Sequence, residues 1–144
     1  MNEKIISVAT HFNANVNSVW SAITKKELMK IWYFDLKEFK ANVGFKFDFI
    51  GGPENGIQYK HLCEITEVIP EKKLTYSWRY EGYEGISYVT FELFDENENT
   101  KLILTHTGIG SFPSTNPDFA ITNFEEGWNY LIKTSLKEFL EKKE

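Results

Sequence analysis

Cysteine is all but missing: Cys63 stands alone in a chain of 144 residues. A single cysteine can neither close an internal disulfide nor build a thiolate metal cluster, so a reducing, cytoplasmic setting is expected. Histidine is scarce too. His11, His61 and His106 lie far apart and never pair at helical spacing, which leaves no metal-ligand pattern. No cofactor motif occurs; Gly108-Ile109-Gly110 lacks the third glycine of a dinucleotide fingerprint, and G-x-S-x-G and the phosphate-binding loop are absent. Positive charge is in deficit, with 16 Lys+Arg against 21 Asp+Glu and a net charge of -5. That balance argues against a nucleic-acid partner, whose phosphates require a basic face. Long apolar runs are missing as well. The longest is Ile31-Trp32-Tyr33-Phe34, far short of the roughly 20 residues a membrane span needs. Met1-Asn2-Glu3-Lys4 opens no signal-peptide core. With no linker, repeat or low-complexity tract, residues 1–144 are expected to form a single domain.

What the chain has in excess is aromatic side chains, at 16% of its residues: 12 Phe, 7 Tyr and 4 Trp. Such side chains carry large burial areas, and Tyr and Trp add a polar tip. They fit either a well-filled core or a core too wide to fill, with an aromatic cavity inside.

Period separates the chain into three parts. Glu3 to Phe12 alternates and predicts a strand, with His11 exposed. Asn15 is placed to cap a short helix carrying Val16, Val19, Trp20 and Ile23 at helical spacing. Thr24 and Glu27 resemble a capping box for a second short helix, Lys25 to Ile31. From residue 35 to 108 the period is two, which predicts a six-strand meander with turns at Gly51–Gly56, Pro70–Lys73, Gly82–Gly85 and Asp95–Asn99. Asn123 and Glu126 then mimic a capping box for a long helix striped with Phe124, Trp128, Leu131, Ile132, Ser135, Leu136 and Phe139. Lys142 and Lys143 would face the negative end of its dipole. Ile109 to Thr122, between sheet and helix, has no period of its own.

The expected fold is therefore α+β: a curved antiparallel sheet of six to seven strands wrapped around a long C-terminal helix, with two short helices after the first strand. Four motifs stand in this order: Val19-Trp20-Ser21-Ala22-Ile23-Thr24 followed by Leu28 and Trp32; Glu67-Val68-Ile69-Pro70 through Leu74-Thr75-Tyr76-Ser77-Trp78; Leu102 to Gly108; and Gly127-Trp128 with Leu131. Together they resemble the helix-grip (START-like, Bet v 1-like) superfamily, and within it the domain family named for activators of the Hsp90 ATPase. The chain departs at Asn42-Val43-Gly44, where members often carry paired glycines. The resemblance implies the fold; related domains bind lipids, hormones or polyketides, some catalyse reactions, and a few serve chaperones. Fold does not settle function.

The sheet parities and the helix stripe predict one cavity lining: Trp32, Phe34, Phe45, Phe47, Phe49, Tyr59, His61, Tyr76, Trp78, Phe91, His106, Phe124, Trp128, Leu131 and Ser135. A small, mostly apolar ligand is the expected partner, held without chemistry. Against it stands an enzyme using His106, or the His61–Cys63 pair, on an aromatic or polyketide-like substrate. His61 and Cys63 are expected to be plain packing residues, and His106 a satisfied core histidine. A chaperone partner has no support in the charge pattern. A homodimer through Tyr88, Phe94 and Ile103 on the convex face is a further expectation. Ser135 is read as a small residue leaving room, and Ile109–Thr122 as a lid at the mouth.

Overall fold

Alternation of apolar and polar residues puts one face of every strand into the core, and the sheet follows from it. The computed structural model describes residues 5–52 and 56–141. Its strands are β1 (Ile6–Phe12), β2 (Lys46–Gly51), β3 (Tyr59–Ile69), β4 (Lys73–Tyr80), β5 (Ser87–Glu96) and β6 (Asn99–Thr107). Helices α1 (Val16–Thr24) and α2 (Lys26–Trp32) follow β1. A long helix closes the described chain. It runs as α3 (Ile121–Tyr130), a π-helical turn at Leu131–Leu136, and α4 (Lys137–Glu141). The strands form one antiparallel sheet in the order β1-β6-β5-β4-β3-β2. A register shift between Ile65 and Glu67 interrupts the β3–β4 ladder, and such bulges bend and twist a sheet. This is the expected helix-grip arrangement. Among the described residues no helix is long and apolar enough to cross a membrane.

Several local expectations change. The meander has five strands, β2 to β6, because residues 35–45 make no strand. There Leu36 and Phe39 bury themselves from an irregular loop instead. Asn15 caps α1 as expected, its side chain accepting from the Ser18 amide at 2.9 Å. Thr24 does not cap α2. It is the last residue of α1, and its hydroxyl donates to the Trp20 carbonyl, leaving Lys25 as a cap without a side-chain bond. The Asn123–Glu126 box is likewise absent, since the helix starts earlier, at Ile121. Asn123 donates to the Pro117 carbonyl instead. The middle of the turn expected at Gly51–Gly56, the start of the first strand at Glu3, and Lys142 and Lys143 lie outside the described residues.

The turn segments carry the close approaches that position the site. Gly85 has φ +108, and a Cβ there would meet the Ser111 carbonyl oxygen at 2.6 Å. Only glycine lets the β4–β5 turn lie against the segment that follows β6. Ser111 locks that contact: its hydroxyl accepts from the Ile86 amide at 2.8 Å and lies 2.9 Å from the Ile86 carbonyl and 2.8 Å from that of Gly108. On the outer face Tyr88 and Phe94 are exposed and Ile103 is half-buried, with Thr90 and Glu92 between the two β5 aromatics.

Candidate functional site

The long helix does not fill the concave face of the sheet. A cavity of about 470 Å³ remains between β3, β4 and α3, in the size range of small-molecule sites. Tyr59 and His61 from β3, Trp78 and Tyr80 from β4, and Gly51-Gly52 at the end of β2 make one wall. Phe124, Gly127, Trp128 and Leu131 make the opposite one. Phe34, after α2, and Asp118 and Phe119, before α3, complete it. The mouth lies at exposed Gly52, Asn123 and Gly127.

Seven of the fifteen predicted lining residues meet on this wall: Phe34, Tyr59, His61, Trp78, Phe124, Trp128 and Leu131. The other eight stand off it. Phe47, Phe49, Tyr76 and Phe91 share the inward parity but pack on one another and on their neighbours, with Phe47 5.1 Å from Tyr76 and Phe49 stacked 4.2 Å from Phe34. Phe45 is only partly buried, 6.3 Å from Phe39. Trp32 is buried with its indole N–H donating to the Ala22 carbonyl. Ser135 leaves no room at the cavity; its hydroxyl donates to the Trp32 carbonyl at 2.7 Å and ties the π-helical turn to α2. Inward parity marks the buried face. Which part of that face is filled depends on the helix lying across it.

Gly51, Gly52, Tyr80, Asp118, Phe119, Asn123 and Gly127 escape the sequence reading, although Tyr80 shares the parity of Tyr76 and Trp78. Gly127 is informative. A glycine inside a helix costs about 1 kcal/mol relative to alanine, and a Cβ here would meet nothing within 4 Å. The helix leaves open space beside the cavity mouth where any larger residue would project.

His106 lies behind the wall and is fully satisfied. The Trp128 indole donates to its Nδ1 at 2.9 Å, so the proton sits on Nε2 and is donated to Ser87 Oγ at 2.7 Å. Ser87 in turn donates to the Trp78 carbonyl at 3.3 Å. The chain links roof to floor, and burial pushes the His106 pKa down to about 3, so the ring is neutral. His61 stacks on Phe49 at 4.4 Å and donates from Nδ1 to the Tyr59 carbonyl at 3.0 Å. Burial brings its pKa to about 4. Burial raises the Cys63 thiol, with the Asp48 charge adding to the effect. A protonated thiol beside a neutral imidazole is not the thiolate–imidazolium pair that nucleophilic chemistry uses. Among the described residues no group of three His, Cys, Asp or Glu is placed to hold a metal.

The segment before α3 is latched over the cavity. Tyr59 donates to Asp118 Oδ2 at 2.7 Å and accepts from Asn116 Nδ2 at 3.1 Å, while Asn116 Oδ1 takes the Asp118 amide at 2.9 Å. Burial, with the Asp118 bond next, raises the Tyr59 pKa. Phe119 then stacks on Tyr80 at 4.7 Å. The family model described as Activator of Hsp90 ATPase homolog 1-like protein matches residues 13–141, nearly all of the described structure. The chain belongs to that family. Human Activator of 90 kDa heat shock protein ATPase homolog 1 is 26% identical over 106 residues, covering 72% of this chain. The match spans only 29% of the human protein. Among solved structures, the Mll3558 protein from Rhizobium loti superposes with a TM-score of 0.82 at 18% identity, covering 96% of this chain and 98% of its own. CalU16 from Micromonospora echinospora gives 0.71 at 24% identity, over 97% and 78%. DynU16, from the dynemicin biosynthetic locus, gives 0.77 at 20%, over 98% and 48%. At these identities the likeness shows a shared fold.

Proposed function

We propose that this member of the family holds a small, mostly apolar or aromatic molecule in the cavity and does not transform it. The observation that carries the reading is the cavity of about 470 Å³, walled by aromatic rings and with open space at Gly127 on its rim. Apolar walls with a few placed polar groups are what ligand sites share. We take the setting to be the cytoplasm, where the lone Cys63 stays reduced. The test uses native mass spectrometry of the purified protein and displacement of Nile red, a neutral apolar dye. Retained small molecules or saturable dye uptake are expected, and Gly127→Leu should abolish uptake while the fold is kept. A protein that retains nothing and takes up no dye, or a Gly127→Leu variant that binds as before, ends the reading.

Two observations favour other readings. DynU16 belongs to a biosynthetic locus, which would suit an enzyme acting on a polyketide-like substrate in this fold; turnover lost on replacing His106 or Cys63, with binding kept, would support it. Family membership favours a chaperone-associated role. That role would show as a complex with the 90 kDa heat shock protein and a changed ATPase rate. No complex and an unchanged rate remove it. A homodimer through the outer faces of β5 and β6 would show in sedimentation at high concentration.

A further inference from the structure

Trp78 and Tyr80 stand together on the β4 wall of the cavity, and the Trp78 indole donates to the Tyr80 hydroxyl oxygen at 2.9 Å. An indole nitrogen can only donate. The phenol therefore accepts there, and its own proton must go elsewhere. No described residue accepts it. The Tyr59 phenol differs, since it both donates and accepts within the latch. Burial keeps the Tyr80 phenol protonated. Donation from the indole polarises the O–H bond and makes it a better donor.

Charge around the cavity limits what can accept that proton. Among the described residues the wall holds no lysine or arginine. None occurs anywhere in residues 102–132, the stretch that builds the latch and the roof. Asp118 is on the wall, and the charged residues of α3, Glu125 and Glu126, are both acidic. His61 is neutral at pH 7. A carboxylate or phosphate entering here would lose its water and meet no cation.

We infer that the ligand is an uncharged molecule bearing a carbonyl oxygen, which accepts the free hydrogen bond of the Tyr80 hydroxyl. The inference rests on the ligand-holding reading above and makes Tyr80 the residue that sets specificity. Titration calorimetry of the full chain with three naphthalenes of one shape tests it: 2-acetylnaphthalene, 2-ethylnaphthalene and 2-naphthoate. The ketone should bind about five- to tenfold more tightly than the ethyl compound, the yield of one hydrogen bond, and the naphthoate most weakly. In Tyr80→Phe the ketone should fall to the affinity of the ethyl compound, which itself stays within about twofold. Should that variant not fold, the infrared carbonyl band of the ketone bound to the unaltered protein replaces it. A shift to lower wavenumber relative to hexane is expected, and an unmoved band overturns the inference. Equal binding of ketone and ethyl compound, tightest binding of naphthoate, or a ketone preference that survives Tyr80→Phe also overturns it, while the ligand-holding reading stands. Failure of all three naphthalenes together with Nile red removes both.

Discussion

His106 shows at the scale of one residue how burial selects a chemical role. Both ring nitrogens are engaged, by Trp128 and Ser87, and the ring itself is fully buried. Replacing it with leucine keeps the bulk but leaves the Trp128 N–H and the Ser87 hydroxyl short of a partner. His106→Leu should therefore cost about 2 to 4 kcal/mol in urea unfolding, since two buried polar groups lose a bond. A cost below about 1 kcal/mol would mean that the network contributes little. Cys63 is the second case. It is 4% exposed and its thiol is pushed upward. A thiol reagent at neutral pH should label the protein only in denaturant; rapid labelling of the native state would contradict this.

At the scale of elements, the decisive one is the segment between β6 and α3. It has no period of its own and carries little regular structure beyond two short 3₁₀ turns, Ile109–Ser111 and Pro117–Phe119. Side-chain bonds hold it at both ends, through Ser111 to the β4–β5 turn and through Asp118 to Tyr59. Tyr59→Phe removes the second anchor and keeps the ring against Phe119. It should cost about 1 kcal/mol and speed hydrogen exchange at the amides of Asp118 to Ala120 while β5 and β6 stay protected. Unchanged exchange there would show that ring packing alone holds the segment. The expectation of a lid over Ile109–Thr122 placed this segment near the mouth. What it could not contain was the partner on β3, 59 residues away in sequence.

At the scale of the whole molecule, stability should depend on pH through two histidines on different strands. His61 and His106 are near 6.5 when unfolded, and burial brings them to about 4 and about 3 in the fold. Below pH 6.5 the unfolded chain therefore binds more protons than the folded one, and stability falls as pH falls. Each histidine contributes a slope of about 1.4 kcal/mol per pH unit between its two pKa values. Urea midpoints measured from pH 7 to pH 4 should drop steadily. In His106→Gln the drop should be shallower by about half. A flat profile would mean that one or both rings protonate in place.

The order of elements follows from the chain alone, because a switch in period from 3.6 to two and back is a local property. The same holds for the Asn15 cap and for the buried parity of each strand. Caps at Thr24 and Asn123 looked equally good in sequence, yet neither forms, because a hydroxyl or an amide takes whichever backbone group the packed chain brings nearest. Residues 35–45 alternate weakly enough that burying Leu36 and Phe39 outweighs pairing as a strand. The cavity itself belongs to the tertiary structure. Phe47 and Trp78 both face inward, but Trp78 lines the cavity while Phe47 is packed by Phe39, Phe49 and Tyr76. Polar roles are decided there too: Trp78, Tyr80, Trp128 and His106 are legible as aromatic residues, and only their contacts determine which proton is already used and which remains for a ligand.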